Sequence, residues 1–399
     1  LLFREGIAKG PSGLSEKEAE KILENIYPDP HYRVEASKEE LVKQRFPDKF
    51  DIHIIMPVYN GEAYVKGCVE SVLSQQTSAS VLLTIINNGS TDRSMKIINK
   101  ILKQPLTFLK IEVLEQENKG PGGGRNRALD AMQGKYVLFL DADDRLLPGA
   151  LEMLFLSAKM TGADIVQGNP IQFVYDRELP AFAQEAIQSK DENLPVIQNQ
   201  TDEAENDSKV PKGQESGNGN ALPKMQISDS ALTLLDGYCW GKLYKSALWE
   251  EIRFTEYSWF EDTPVFFLIY PQAKKAARLE ANLYAYRVNP TGLSSKANSD
   301  NPKLLDTWYV SRETLKTALK KGIDFHAKDV QKQLARQMIL NAKRVRPLGR
   351  AAQEALFVLQ ASLVKDLLDE AFEGLDRKEK TFMKLLQEGN WNKFRVLGY

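Results

Sequence analysis

The sequence has few of the residues on which disulfide scaffolds and histidine or cysteine metal centres depend. It contains two cysteines and three histidines in 399 residues, and the histidines lie far apart. This scarcity excludes a disulfide-rich secreted scaffold and a cysteine-based zinc cluster. The 53 Lys and Arg residues nearly balance the 54 Asp and Glu residues. The balance gives no reason to expect nucleic acid as a partner.

Long apolar runs are also missing from the sequence. No stretch approaches the ~18 consecutive apolar residues of a membrane-spanning helix, and the charged N-terminus lacks the apolar segment of a secretory signal. With 42% hydrophobic and 27% charged residues, the composition is that of a globular protein with a substantial core. We therefore expect a cytoplasmic protein and leave open a peripheral contact at the inner membrane face.

Apolar strands and amphipathic helices alternate between residues 51 and 167. The apolar runs are nearly continuous and end in turn residues, as is typical of buried strands. Predicted strands are 52–58, 81–86, 108–114, 136–140 and 163–167, and predicted helices are 65–73, 95–102, 125–133 and 149–161. This alternation predicts an α/β domain with a mostly parallel central sheet.

The rest of the chain divides by composition. Residues 1–50 are polar and predict an N-terminal helical extension, and 51–298 form the α/β domain. Within that domain, residues 190–216 are acidic and poor in large apolar residues, which predicts a mobile loop. Residues 299–399 predict a C-terminal helical region, with helical periodicity at 302–321, 327–345 and 351–389.

Three aspartates directly follow the fourth predicted strand. Asp141, Asp143 and Asp144 would lie at the carboxyl edge of a parallel sheet, where such folds bind ligands. Side chains two apart on a strand point the same way, so Asp141 and Asp143 are predicted to converge. Because neighbouring carboxylates repel each other, this pair favours a divalent cation with oxygen ligands, Mn²⁺ or Mg²⁺. Asp144 is expected to cap the next helix.

Two turns and a glycine-rich run are predicted at the same edge. Tyr59 and Asn60 close the first strand, where an aromatic ring can stack on a base, and residues 87–92 close the second. In the run 118–127, glycines let backbone amides approach phosphates and Arg125 can pair with them. The alternative is a flexible turn before a helix. The run lacks G-x-G-x-x-G spacing, which disfavours a dinucleotide-binding fold.

Glu261 and Asp262 form a second acidic pair, directly after two bulky aromatic residues. Burial beside apolar groups raises a carboxyl pKa towards the range of a general base. The competing interpretation is the start of a surface helix, because a Thr-Pro pair follows. Further along, Arg287 is an arginine that could reach a diphosphate.

Taken in order, these segments resemble the inverting glycosyltransferases of family 2, of the bacterial saccharide- or glycoprotein-modifying type, whose catalytic domain has the GT-A fold. The matching stretches span roughly residues 52–296 and are IIMPVYNGEAYV, IINNGSTDRS, ENKGPGGGRNRALDAMQGKYVLFLDADD, WGKLYKSAL, FEDTPVFF and YAYRVNPTGLSS. The resemblance implies a metal-dependent hexosyl- or N-acetylhexosaminyltransferase. It would move one sugar from a nucleotide-sugar, with UDP-sugar preferred, to a hydroxyl of a saccharide, lipid-linked or glycoprotein acceptor.

The resemblance also implies roles for individual residues. Glu261 and Asp262 would be the catalytic residues, and Asp262, second in the pair, would be the base that deprotonates the acceptor hydroxyl. Asp143 would bind Mn²⁺ or Mg²⁺ at the donor diphosphate, and Asp141 would contact the ribose or the metal. Trp240 and Lys242 would lie near the donor sugar or the acceptor. The implied nucleotide-sugar-binding residues are Pro57, Tyr59, Asn60, Asn88, Asp92, Arg125, Asp141, Ala142, Trp240, Lys242 and Arg287.

Two positions depart from the family pattern. Asn88 stands where the family usually has an aspartate that reads the base, and asparagine can still accept a hydrogen bond there. Glycines 122–124 replace bulkier residues, which alters the expected pocket wall. Without a membrane-spanning part or a Gln-x-x-Arg-Trp segment, a processive polymer synthase is disfavoured.

Other functions remain open. A non-catalytic nucleotide-sugar-binding partner subunit could use the same fold. A sugar nucleotidyltransferase has a related sheet, but it would require a basic, glycine-rich loop after the first strand. The helical region could dock a partner, dimerise or hold the acceptor, and the oligomeric state is not predicted. Its basic cluster, which could touch anionic lipid or form a solvated helix face, consists of Lys343, Arg344, Arg346 and Arg350.

Overall fold

A computed structural model describes residues 13–28, 48–103, 109–181, 223–290, 292, 300–368, 372 and 374–396. Within these residues, nine strands form one mixed sheet in the order β3-β2-β1-β4-β8-β6-β9-β5, and β7 pairs with β9. The strands are β1 (Phe50–Val58), β2 (Val81–Asn88), β3 (Leu109–Gln116), β4 (Gly134–Phe139), β5 (Arg145–Leu146), β6 (Ile165–Phe173), β7 (Met225–Ser228), β8 (Lys242–Lys245) and β9 (Ala276–Arg287).

The first four strands are parallel to one another, as the alternation of strands and helices predicts. β1 and β2 are buried along most of their length, so their sequences are continuous apolar runs. β8 runs antiparallel to both β4 and β6, which makes the sheet mixed. The predicted strands are confirmed with small shifts at their ends. The sequence interpretation missed the strands downstream of residue 223 and the two-residue β5.

Helices flank the sheet and continue into the C-terminal region. They are α1 (Glu16–Ile26), α2 (Val65–Leu73), α3 (Ser94–Ile101), α4 (Gly120–Leu129), α5 (Ala150–Thr161), α6 (Ala231–Leu234), α7 (Asp306–Lys320), α8 (Lys328–Val345), α9 (Arg350–Leu367), α10 (Arg377–Gln387) and α11 (Trp391–Val396). None of the helices in the described ranges is both long enough and apolar enough to cross a bilayer.

Two apolar cores lie on opposite faces of the sheet, because successive residues of a strand point to opposite sides. Ile54 and Met56 of β1 belong to the core that contains α2, α3 and α5. Ile55 belongs to the other core, which contains α4 and the C-terminal helices. This second core also includes Ala19 and Leu23 of α1, which packs on α9. The helical region is thus continuous with one face of the α/β domain.

Two helix predictions were wrong in their limits. The helix predicted at 125–133 begins at Gly120 and ends at Leu129, so the glycine run is helical. The segment 351–389 contains two helices, and Asp376 caps the second by accepting hydrogen bonds from the backbone of Lys378 and Glu379. The predicted loop 190–216 and most of the N-terminal extension lie outside the described residues.

Candidate active site

The turns after β1 and β2 meet at the carboxyl edge of the sheet. The Asn60 side-chain oxygen accepts a hydrogen bond from the Thr91 amide at 2.8 Å. Asp92 accepts one from the Glu62 amide, also part of the first turn, at 2.9 Å. Tyr59 remains 53% exposed, so its ring is free to contact a ligand. The structure thus joins the two turns that carry Asn60 and Asp92, and Tyr59 and Asn60 are both exposed there.

Asn88 is buried at this edge, and its carboxamide is engaged within the protein. The oxygen accepts from the Gln116 side chain at 2.8 Å and the Lys119 amide at 3.2 Å, and the nitrogen donates to the Gly120 carbonyl at 2.9 Å and to Asn118 at 3.3 Å. Both donors and both lone pairs are therefore used. This arrangement differs from the expected free acceptor for a base, and it fixes the segment that leads into α4.

Arg125 joins two acidic segments that are far apart in sequence. It lies on α4, and its side chain is 3% exposed. One terminal nitrogen donates to Asp141 and the other to Glu261, each at 2.6 Å. The guanidinium also packs over the ring of Phe254, 5.2 Å from its centre. Arg125 therefore ties the aspartates after β4 to the Glu261–Asp262 pair.

Arg125 pairs with only one member of the Glu261–Asp262 pair, so the two carboxyl groups differ in their environment. Glu261 is held by Arg125, whereas among the described residues no side chain forms an ion pair with Asp262. Burial and the charge of Glu261 raise the pKa of Asp262 to about 6, although Arg344 and Arg125 act in the opposite direction. A carboxyl group whose pKa lies near neutral pH, and which has no ion-pair partner, is suited to accept a proton.

Glycines allow α4 to approach the segment that carries the acidic pair. A Cβ atom at Gly122 would lie 2.2 Å from the Thr255 carbonyl oxygen and 3.2 Å from the Glu261 Cβ. At Gly124 it would lie 2.7 Å from the Pro57 Cβ. The run is therefore a close-packed helix surface, and the predicted flexible turn is wrong for residues 120–124. Phosphate binding by this run stays a prediction. The close approach places Arg125 between its two carboxylates.

Comparison with known proteins supports the resemblance. Residues 53–210 match the model described as Glycosyl transferase family 2. Within these residues the chain carries a glycosyltransferase family 2 domain. The resemblance inferred from the sequence motifs is thereby confirmed, as is the enzyme class at the level of the family.

Relatives of this chain include two bacterial proteins. GlyA, a glycosyltransferase of Streptococcus pneumoniae, is 30% identical over 246 residues, which are 61% of this chain and 31% of GlyA. EpsJ of Bacillus subtilis, named an uncharacterized glycosyltransferase, is 27% identical over 253 residues, which are 61% of this chain and 62% of EpsJ. The matched region therefore spans about a third of GlyA and less than two thirds of EpsJ.

The fold of this chain is also that of a solved structure. The crystal structure of residues 1–349 of TarS from S. aureus matches with a TM-score of 0.58 and 16% identity, covering 87% of this chain and 90% of that one. The predicted GT-A architecture with a C-terminal helical region is confirmed.

The aspartates of the family 2 domain lie in a turn beyond β4, which ends at Phe139, so strand alternation does not govern them. Asp143 accepts a hydrogen bond from Asn289 at 3.1 Å, and burial together with the charge of Asp141 raises the pKa of Asp143. Asp144 does not cap a helix, because it is buried and accepts from the Tyr284 hydroxyl. Asp141 is paired with Arg125, whereas Asp143 forms no ion pair within the described residues, so its negative charge is only partly balanced.

A divalent cation with only a few protein ligands would balance this negative charge. Within the described part of the chain, no group of three His, Cys, Asp or Glu side chains could hold a metal. Mg²⁺ commonly binds through one or two carboxylates and completes its shell with water and substrate phosphate. Asp143 and Asp141 supply oxygen ligands of that kind, and Ala142 between them is partly exposed.

Three other predicted binding residues have protein partners. All three guanidinium nitrogens of Arg287 are engaged, with the Asp143 carbonyl, the Val174 carbonyl and Asp176. The rings of Tyr238 and Tyr284 stack on Trp240, at centroid distances of 3.6 and 4.6 Å. These residues build the wall of the site.

Lys242 is fully buried behind this aromatic stack. Its ammonium group lies 3.8 Å from the centre of the Tyr238 ring and donates to the Tyr238 carbonyl. Burial lowers the pKa of Lys242 to about 7. Lys242 is therefore held inside the protein, where its charge interacts with that of Asp262.

Three residues near the acidic pair were missed by the sequence interpretation, and all belong to the helical region. Lys303 donates to the Tyr257 carbonyl at 2.9 Å, Asp306 accepts from the Trp259 amide at 2.8 Å, and Arg344 stacks on the Phe260 ring. The only sequence signal for Arg344 was its place in the basic cluster. Lys343, Arg346 and Arg350 of that cluster are exposed, whereas Arg344 turns inward.

Replacement of Gly122 tests the packing of α4. We expect Gly122→Ala to lower the free energy of unfolding by about 1–3 kcal/mol, because its Cβ would meet a backbone carbonyl that cannot rotate away. A decrease in the free energy of unfolding would be informative, because alanine in a helix interior is ordinarily favoured over glycine. Denaturant unfolding measures the effect. Gly61→Ala is the control, because its nearest neighbours lie at 3.8 Å or more, and a stable Gly122→Ala variant would contradict the packing argument.

Proposed function

We propose that the chain is a metal-dependent inverting glycosyltransferase that moves one sugar from a nucleotide-sugar to a hydroxyl of a saccharide, lipid-linked or glycoprotein acceptor. A UDP-sugar is the first candidate donor. One observation carries the proposal. A carboxyl group with a pKa of about 6, Asp262, is coupled through Glu261 and Arg125 to the aspartates at the ligand-binding edge of the sheet.

In the proposed reaction, Asp262 accepts the proton of the acceptor hydroxyl as that oxygen attacks the anomeric carbon. A single base suffices for an inverting displacement, and its ionisation above pH 6 matches the near-neutral range in which general bases work best. Glu261 stays paired with Arg125, so it positions the turn and is not itself the base. The Arg125 contact fixes the distance between base and donor edge.

At the donor edge, the exposed ring of Tyr59 offers a surface on which a base can stack. Asp143 and Asp141 would hold Mn²⁺ or Mg²⁺. When bound, such a cation neutralises charge on the departing diphosphate. Because the Asn88 side chain is already saturated, we propose that the base is held chiefly by stacking and by groups other than Asn88.

A donor screen tests this function. Thermal shift and slow hydrolysis are measured with UDP-, GDP- and TDP-sugars, each with Mn²⁺ and with a chelator. We expect one sugar nucleotide to stabilise and to be hydrolysed only with the cation, and a UDP-sugar to be that donor. Binding without turnover, with any acceptor added, would favour the non-catalytic nucleotide-sugar-binding subunit instead. A protein that responds to no nucleotide would refute the proposed function.

A further inference from the structure

The turn that carries the acidic pair has an unusual backbone and is held in part from outside the α/β domain. Tyr257 and Phe260 both have φ values of 61°, in the left-handed region that non-glycine residues rarely adopt. Such conformations persist only where surrounding contacts impose them. The α/β domain contributes the Lys119 carbonyl and Arg125, and the helical region contributes Lys303, Asp306 and Arg344.

Arg344 stands apart from the other two because it also faces the carboxylates. Its guanidinium carbon is 3.7 Å from the centre of the Phe260 ring, and one terminal nitrogen donates to Thr307 at 3.1 Å. It forms no ion pair with an acidic side chain in the described part of the chain, yet both Asp262 and Glu261 interact with it electrostatically. A stacked guanidinium is a fixed positive charge, because its plane is held by the ring.

The position of Arg344 is built into the fold. It is on the last turn of α8, and Thr307 belongs to α7. Asn341, one turn earlier on α8, is buried and bonds both Thr307 and Ser311. Two helices of the C-terminal region therefore fix the guanidinium over Phe260, directly beside the acidic pair in sequence.

We infer that Arg344 is a positioning residue of the active site: stacked on Phe260, it holds the base-bearing turn and stabilises the ionised form of Asp262. The inference rests on the proposed function, in which Asp262 is the base. The helical region is then part of the catalytic centre and not only a docking module. Removal of the charge should make Asp262 harder to ionise, because burial and Glu261 would be less strongly opposed.

Other charged groups also face Asp262 and must be held constant in a test. Glu261 and Arg125 act from its own turn and from α4, and Lys242 acts from β8. Cys239 is buried nearby and interacts with Asp262 as well. Lys242 is the main confounder, because its pKa of about 7 lies in the same range. A difference between variants that all retain Lys242 removes its contribution.

A stability cycle measures the ionisation of Asp262 without any substrate. The full chain, Asp262→Asn, Arg344→Gln and the double variant are melted between pH 4.5 and 8.5. The melting-temperature gap between the Asp262 and Asn chains should widen from about pH 4 and reach its plateau near pH 6 with Arg344 present. With Arg344→Gln the plateau should be reached about 1 pH unit higher, and the gap there should be larger. Arg344→Lys should restore most of the shift, and Lys343→Gln, at the exposed neighbouring position, should leave the gap where it was.

The outcomes separate the inference from the function on which it rests. An unchanged plateau pH in the Arg344→Gln background, with both chains folded by circular dichroism, would overturn the inference. If the sugar nucleotide selected by the donor screen is hydrolysed, Arg344→Gln should lose about fivefold more activity at pH 6 than at pH 8.5, with the donor KM unchanged. A wild-type chain that hydrolyses no sugar nucleotide but shows the shift would refute the proposed function alone.

Discussion

Asp262→Asn should abolish sugar transfer while donor binding is retained. A positioned general base contributes about 10²–10⁴-fold to a reaction rate, and asparagine cannot accept the acceptor proton. The change replaces one carboxylate oxygen by an amide nitrogen and keeps the shape of the side chain, so the surrounding turn should keep its structure. We expect kcat to fall by that factor for transfer, and for slow hydrolysis, while the donor still raises the melting temperature in the presence of Mn²⁺.

The same variant should be more stable than the wild type above pH 6. The pKa of Asp262 is higher in the folded protein, at about 6, than the usual 3.8. The folded state therefore resists its ionisation, and stability contributed by the protonated form is lost as the pH rises from about 4 to 6. At pH 7.5 asparagine avoids this cost, which we place at about 1–2 kcal/mol for a partly exposed group.

Controls make this result specific. Asp229→Asn, at an exposed position after β7, should change neither transfer nor the pH dependence of stability. An Asp262→Asn enzyme with wild-type transfer would exclude Asp262 as the base. A variant that loses stability at pH 7.5 would show that the carboxylate is held by contacts absent from this structure.

Arg125→Met should destabilise the protein by about 3–5 kcal/mol, the usual cost of removing one partner from a buried ion pair. Asp141 and Glu261 both lie 2.6 Å from the guanidinium, and the arginine side chain is only 3% exposed. Methionine fills the volume and leaves two carboxylates without a counter-charge. Urea unfolding at pH 7.5 measures the loss, and transfer should be lost with it.

Two further variants test the cause. Arg127→Met, on the same helix but exposed, is the matched control and should have little effect on stability. Adding Glu261→Gln to Arg125→Met should recover part of the lost stability, because one unpaired charge is removed. If Arg125→Met unfolds at the wild-type urea concentration, the bridge does not hold the two acidic segments together.

The sequence allowed the parallel half of the sheet to be predicted because the signal there is local. Strands such as β1 and β2 are buried on both faces, so their composition alone identifies them. The motifs likewise placed Tyr59, Asp143 and Asp262 in one site, since their order along the chain is that of family 2. β9 was missed because its buried positions are interrupted by exposed or partly exposed ones such as Glu280 and Asn282.

The contacts that define the site depend on pairings across the chain, which local patterns do not contain. Arg125 was assigned to phosphates because a cationic side chain after glycines suggests an anion, whereas its partners are carboxylates 16 and 136 residues away. Glycine ordinarily weakens a helix, so a helix beginning at Gly120 was not predicted. Only the packing against Thr255 explains why it forms. Arg344 could not be distinguished from the rest of its basic cluster, because its contact with Phe260 also joins distant parts of the sequence.

The packing of α1 on α9 has a consequence for synthesis on the ribosome. α1 leaves the exit tunnel long before α9, but its buried face, including Ala19 and Leu23, is covered by that helix, which begins at Arg350. Throughout translation of the α/β domain that face lacks its native cover. The α/β domain can complete its parallel strands early, whereas the second core closes only after the helices from α9 onward emerge. A chain stalled before α9 would therefore present an exposed amphipathic helix, and we expect a nascent-chain chaperone to bind it.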